Sequence, residues 1–205
     1  MTILGTLYII SAPSGAGKTS LVRKLLDCTP GLEVSVSHTT RPARANERDG
    51  VDYHFVDPTT FAALVQQGLF LEHAKVFDHD YGTSRYAVLE RLRAGSDVIL
   101  EIDWQGARQV RARLPRTQSI FILPPSRAAL RERQQNRGQD SAAVIEQRLQ
   151  EAARDLSHFA EFDYLVINDE FTAALEALRA IFIANRQRRE TQLARQRLLF
   201  QGLLS

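Results

Sequence analysis

The sequence predicts an α/β protein: a mostly parallel five-stranded core sheet with helices on both faces and two added lobes. Three observations predict it. Short apolar, β-branched runs recur along the chain: TLYIIS at 6–11, DVILEID at 97–103, SIFIL at 119–123 and YLVIN at 164–168. Helical patterns lie between them, and core-type strands alternating with helices build a parallel sheet covered on both sides. A loop of small residues joins the first run to the first helical pattern, in the order strand, loop, helix. The 205 residues suffice for one globular unit with a real core.

Thr6 to Ser11 has the continuous apolar character of a buried strand. From Lys18 the pattern turns helical, with Leu21, Val22, Leu25 and Leu26 on one face, and the helix should stop before Pro30-Gly31. Glu33 to His38 alternates as a strand does. Thr39 to Asp52 is polar, rich in Arg and without period. Tyr53 to Val56 and Leu69 to Phe77 read as strands around a short helix from Pro58 to Gln67. Ser84 to Ala94 reads as a helix, and Phe171 to Leu199 as one long helix. The stretches 38–84 and 126–162 carry no run like DVILEID and are expected to be lobes added to the core. The expected division is core 1–37, lobe 38–84, core 85–125, lobe 126–162, and core with C-terminal helix 163–205.

Composition excludes several classes. Hydrophobic residues make up 44% and charged residues 24%, which is ordinary for a folded domain and not for a disordered or collagenous chain. No apolar run approaches the roughly 20 residues of a membrane helix. The start, Met1 to Gly5, lacks the basic segment and cleavage site of a signal peptide. The single cysteine, Cys28, forbids an internal disulfide and a thiolate metal cage, so a cytoplasmic protein without membrane contact is expected. A net charge of +2 and the lack of an aromatic platform argue against a nucleic-acid partner. The five histidines show no metal-ligand spacing. Trp104, directly after a core strand, reads as a core residue. The basic C-terminal segment from Asn185 to Arg197 reads either as a solvated final helix or as a homo-oligomer contact.

Ala12-Pro13-Ser14-Gly15-Ala16-Gly17-Lys18-Thr19 has the pattern of a phosphate-binding loop, with Ala in place of the usual first Gly. Gly15 and Gly17 let the backbone turn and approach an anion closely. Successive N–H groups then form a concave nest at a helix N-terminus. Lys18 can reach the β and γ phosphates of a nucleotide, and Thr19 offers a hydroxyl to Mg²⁺. Arg41 and Arg44 lie three residues apart in a polar segment, and paired guanidiniums suit a second, dianionic phosphate. Taken alone they also read as a solvated basic loop. Glu101 and Asp103 end the DVILEID run two residues apart, which puts both on one face of a strand. Carboxylates there, beside a phosphate loop, commonly organise Mg²⁺ directly or through water.

SAPSGAGKT, SVSHTTRPAR, FLEHAKVF, YGTSR, LEIDWQG, SIFILPPS and NRGQD occur in the order and spacing of guanylate kinases, and the chain most resembles the bacterial form. The resemblance spans about residues 5 to 185. It implies a P-loop core with a GMP-binding lobe at 38–84 and a lid at 126–162. It implies transfer of the γ-phosphoryl of ATP to GMP with Mg²⁺, in purine nucleotide metabolism. It assigns the loop residues 12–19 and Asn168 to ATP, Asn168 on the adenine side. It gives the acceptor phosphate to Arg41, Arg44, Tyr53 and Tyr81, and the base to Ser37, Glu72 and Thr83. Asp103 then touches the guanosine, Glu101 lies near the phosphates and Mg²⁺, and Arg133, Arg137 and Arg148 are lid arginines closing on the transferring group.

The chemistry of Glu72 supports that assignment. A carboxylate in the apolar context Phe70-Leu71-Glu72 must find partners. Guanine presents two donors, N1–H and the N2 amine, that one carboxylate accepts together, whereas adenine lacks this pair. Two rival readings stand beside the kinase. One is a guanylate-kinase-like binding module without catalysis, which typically lacks the intact loop seen at Lys18 and Thr19. The other is a related kinase with a sugar-phosphate acceptor, which has no need of Ser37, Glu72 and Thr83 together.

Overall fold

A computed structural model describes residues 4–76, 78–135 and 142–204. In chain order the elements are β1 (Leu7–Ser11), α1 (Lys18–Cys28), β2 (Leu32–Val34), β3 (His38–Thr39), β4 (His54–Phe55), α2 (Pro58–Gln66), β5 (Phe70–Val76) and β6 (His79–Ser84). They continue with α3 (Arg85–Ala94), β7 (Asp97–Glu101), α4 (Trp104–Arg113), β8 (Gln118–Leu123), α5 (Arg127–Gln135) and α6 (Ala142–Leu156). After a 3₁₀ turn at Phe159–Glu161 come β9 (Tyr164–Ile167), α7 (Phe171–Arg186), α8 (Arg189–Arg195) and α9 (Arg197–Leu204).

The core sheet has the order β2-β7-β1-β8-β9, and every neighbouring pair is parallel. Strand alternation splits β1 between two apolar layers. Tyr8 and Ile10 pack with Leu21, Val22 and Leu25 of α1 and with Ala174, Leu178 and Phe182 of α7. Leu7 and Ile9 pack on the other side with Val88 and Leu92 of α3 and Ala107 and Val110 of α4. Both faces are covered, as continuous apolar strands require. β1 sits at the centre, between β7 and β8; α1 carries the chain to β2 at one edge, and β8 and β9 extend the sheet on the other side. Ligands in open α/β sheets bind at the carboxyl ends of strands at such a crossover. The loop 12–17 and the end of β7, paired as Ile10 to Glu101, lie there.

A second sheet of order β4-β3-β6-β5 is mixed: β3 runs parallel to β4 and antiparallel to β6, and β5 antiparallel to β6. Several expectations are corrected here. The strand expected over Glu33–His38 is divided. β2 ends at Val34 in the core sheet, and β3 begins at His38 in the second, so the intervening residues carry the chain between sheets. Tyr81-Gly82-Thr83 is part of β6, held by β5 and β3 on its two sides, and Ser84 caps α3, accepting from the Ala87 N–H at 3.4 Å. Asp103 is not on a strand with Glu101. β7 stops at Glu101, and Asp103 caps α4 by accepting from the Gly106 N–H at 2.9 Å. The single long C-terminal helix is three. α7 ends at Arg186, whose guanidinium is held by the fully buried Asp97 at 2.7 Å, and Arg188 is extended. Arg195 of α8 reaches the other oxygen of Asp97 at 2.5 Å. Among the described residues, no helix is long and apolar enough to cross a membrane.

Candidate active site

The phosphate loop takes its shape from two glycines with left-handed backbone, Gly15 (φ 93°) and Gly17 (φ 91°). At Gly17 the need is double, because a Cβ would stand 2.3 Å from the Asn168 amide nitrogen. That amide donates to the Ala16 carbonyl at 2.7 Å from a nearly buried position. Asn168 therefore lies under the loop as a strut, with its amide directed at the loop backbone. Gln134 of α5 performs the same service from above, donating to the Ser14 carbonyl at 2.8 Å. Arg133 donates to the Asn168 carbonyl at 2.9 Å. Sequence reasoning missed Gln134, which reads as one more polar residue in a charged helix.

A cavity of about 710 Å³ opens over this loop. Ala12 to Gly15, Gly17, Lys18 and Thr19 form one wall. Ser37, Tyr53, Glu72 and Tyr81 from the second sheet and its flanks form another, with Glu101 and Asp103 between them. The Lys18 ammonium lies 4.0 Å from the Glu101 carboxylate. α6 closes the remaining side with Gln147, Glu151, Arg154 and Asp155.

Glu72 is 2% exposed. Its Oε1 accepts from the Thr83 hydroxyl at 2.5 Å, and Ser37 lies 3.5 Å from that same hydroxyl. Burial pushes its pKa up to about 7; the Thr83 hydrogen bond opposes this and the charge of Asp103 adds to it. The carboxylate is held over α4, where a Cβ on Gly106 would stand 2.5 Å from Oε2. Ser37, Glu72 and Thr83, expected together on the base, are thus joined by hydrogen-bonding geometry.

Arg41, Tyr53 and Tyr81 form a second group. The Arg41 guanidinium stands 5.4 Å from the Tyr53 ring centre, and the Tyr53 and Tyr81 rings meet edge-on at 5.9 Å. Arg41 is held by Glu47 at 2.8 Å, and Glu47 also accepts from the Arg44 N–H. The Arg44 side chain is mostly exposed, its guanidinium 4.0 Å from Glu47. Arg148 lies on α6, the helix that faces the cavity, and Arg137 lies outside the described residues.

Trp104 does not pack in the core. It is half-buried and stacks on His158 with ring centres 3.7 Å apart, and the Arg108 guanidinium covers the indole at 4.7 Å. Arg108 also grips Glu161 with two nitrogens, at 2.7 and 2.5 Å, and His158 bonds the same carboxylate at 2.7 Å. These contacts pin the end of α6 to α4. The Arg108 and His158 hydrogen bonds hold the Glu161 carboxyl down at about 2. Asp155, one turn earlier, faces the cavity; burial, with the charges of Asp103 and Glu151, pushes it up to about 6.

A family model described as guanylate kinase matches residues 4–185. The chain belongs to the guanylate kinase family. The guanylate kinase of Alkalilimnicola ehrlichii is 61% identical over 92% of this chain and 93% of its own length. That of Pseudomonas syringae pv. syringae is 54% identical over 99% of both. The crystal structure of guanylate kinase from Anaplasma phagocytophilum superposes with a TM-score of 0.76 at 32% identity, covering 92% of this chain and 89% of that one.

Proposed function

We infer that this chain transfers the γ-phosphoryl group of ATP to GMP, giving ADP and GDP. The observation that carries the reading is the shared cavity: the loop bearing Lys18 and the buried Glu72, which the Thr83 hydroxyl holds, line one space. In this reading the second sheet, within 38–84, is the acceptor lobe, and α5 with α6, within 126–162, is the lid.

The chain's own residues divide the work. Loop N–H groups and Lys18 bind the donor phosphates and offset their charge. Glu72 accepts both guanine donors, with Ser37 and Thr83 beside it. Arg41, Tyr53 and Tyr81 hold the acceptor phosphate, for which Arg41 exchanges Glu47, and Arg44 supports the same anion from the exposed side. Holding the acceptor oxygen in line with the donor is worth much of the barrier. That oxygen is already anionic at neutral pH, so no general base is required. Arg133, Arg137 and Arg148 close on the transferring group and exclude water; Arg133 leaves the Asn168 carbonyl to do so. Asp103 holds the guanosine while capping α4. Asn168 contributes to the ATP site by supporting the loop.

Mg²⁺ fits the donor set. Thr19 and Glu101 line the cavity beside Lys18, and Mg²⁺ is usually held by one or two protein oxygens together with substrate phosphates. Bound there, it would neutralise charge on the donor phosphates. The single free cysteine and the nucleotide substrates favour a cytoplasmic enzyme of purine nucleotide metabolism.

The test is ADP release from Mg-ATP with GMP, AMP, CMP, UMP or no acceptor, run side by side. Rapid turnover with GMP alone is expected. Silence with all four would overturn the kinase reading and return the binding module and the sugar-phosphate kinase as readings.

A further inference from the structure

We propose that Asp155, on the lid helix, selects the ribose of the acceptor nucleotide by accepting hydrogen bonds from its sugar hydroxyls, opposite Asp103. The inference rests on the reading of this cavity as the GMP site, and adds to it a contact for the sugar.

Glu72, Asp103, Asp155 and Lys18 line one cavity. The charge of Asp103 acts on both Glu72 and Asp155, and that of Lys18 acts on Asp155. Together they make one charged wall that includes the proposed base subsite and the lysine of the phosphate loop. A nucleoside monophosphate laid along it places its base on Glu72 and its phosphate toward Arg41, Tyr53 and Tyr81. The sugar comes between, level with Asp103 and Asp155.

The two carboxylates differ in what they already hold. Asp103 accepts from the Gly106 N–H at 2.9 Å and from the Gln105 amide at 2.9 Å. No hydrogen-bond donor reaches the Asp155 carboxylate among the described residues, although it is half-buried in the cavity wall. A carboxylate removed from water needs donors. The acceptor offers few: N1–H and the N2 amine belong to Glu72, and the remaining O–H donors are those of the ribose.

Position supports the same assignment. The Trp104–His158 stack and the Arg108–Glu161 pair fix the end of α6 against α4 within a few residues of Asp155. Asp155 is thus held at the base of the lid, ready for a sugar before closure. Glu151 lies one turn further toward the lid tip.

The experiment compares kcat/KM for GMP, 2′-deoxy-GMP and 3′-deoxy-GMP in the wild-type enzyme and in Asp155→Ala. Hydrogen bonds to a charged acceptor are worth enough for about a tenfold loss or more when the donor is deleted. The wild type should therefore lose at least about tenfold with one deoxy nucleotide. Asp155→Ala should lose as much with GMP and little further with that analogue, so that the ratio falls to near one. Equal use of all three nucleotides by the wild type overturns the proposal, with no variant needed. An equal loss for all three in Asp155→Ala also overturns it, since that is the signature of action through Lys18 or the lid. Asp155→Asn, nearly isosteric and still an acceptor, should retain part of the discrimination and serves if the Ala variant misfolds. Wild-type turnover with GMP but not AMP, read in the same series, tests the function itself separately.

Discussion

In the proposed reading, Glu72 makes GMP binding pH-dependent, in a direction set by its burial. Guanine needs the ionised carboxylate, because both of its edge groups are donors. In the free protein burial holds this group at about 7, so it carries a proton much of the time at neutral pH. With that value roughly 0.1 of the molecules are binding-competent at pH 6 and roughly 0.9 at pH 8, and the apparent dissociation constant scales inversely with that fraction. GMP affinity should therefore rise about tenfold between pH 6 and pH 8. Isothermal titration of GMP without ATP measures it directly. Two other groups titrate in the same window, the nucleotide phosphate, with a second ionisation near roughly 6, and Asp155. Glu72→Gln is the control, because both persist in it while the carboxylate does not. This variant should bind GMP roughly a hundredfold more weakly, since its amide offers one acceptor and opposes a donor to a donor. Its pH dependence should be flatter than that of the wild type by the full Glu72 contribution. Parallel pH profiles in the two proteins would refute the argument. Stability should move the other way. A carboxyl whose folded pKa is raised stabilises fully below its unfolded value, near 4.5, and that contribution is lost as pH climbs through about 7. On that interval, at about 1.4 kcal/mol per pH unit, the wild type should lose about 3 kcal/mol relative to Glu72→Gln between pH 4.5 and pH 8, as read by urea unfolding.

Lys18→Ala should cut turnover by about 10³-fold while leaving the melting temperature within a few degrees, because the lysine acts on the phosphates; near-normal turnover would remove it from the mechanism. Gly106→Ala adds a methyl 2.5 Å from Glu72 Oε2 and must displace the carboxylate proposed to read the base. Its KM for GMP should rise about tenfold with the KM for ATP unchanged, even though Ala favours the helix by about 1 kcal/mol; an unaltered GMP constant would show that Glu72 is not held where the geometry puts it. Asp97→Ala leaves Arg186 and Arg195 without their shared buried partner and should cost about 3 kcal/mol. For a chain of this size that is a fall of roughly 10 °C in melting temperature, and a shift below about 2 °C would mean that the two arginines are satisfied elsewhere.

The parts of this protein that are legible in its sequence are those whose physics is local. The phosphate loop is eight contiguous residues, and its glycines, lysine and threonine declare their purpose by order alone. The core strands are legible because a strand buried on both faces is apolar throughout. The second sheet is not, since β6 reads HDYGTS, polar and broken by a glycine, and becomes a strand only because β5 and β3 flank it. The C-terminal helices break where they do because Arg186 and Arg195 reach an aspartate 89 and 98 residues away. Trp104 follows the same rule: an indole after a core strand suggests the core, but its partner is His158, which no window around Trp104 contains.

Glu72 and Asp155 mark the boundary between these cases. Both are acids in the same cavity, yet only Glu72 is conspicuous in the sequence. It stands among Phe70 and Leu71, where a charge has no cause except a partner. Asp155 sits on a helix crowded with Gln, Glu and Arg, where a charge needs no cause at all; what sets it apart is Asp103, brought opposite by the fold. The contrast follows from how the two would work. A group that reads a base must be stripped of water so that a wrong ligand leaves it unpaired, because an unsatisfied polar group in such a site is the source of strong discrimination. That requirement forces apolar neighbours into the sequence around Glu72. A group on the proposed lid must tolerate water when the site is empty, so it can be only half-buried and leaves no apolar signature. Stringent base selectivity beside milder sugar selectivity is the consequence expected of that difference in burial.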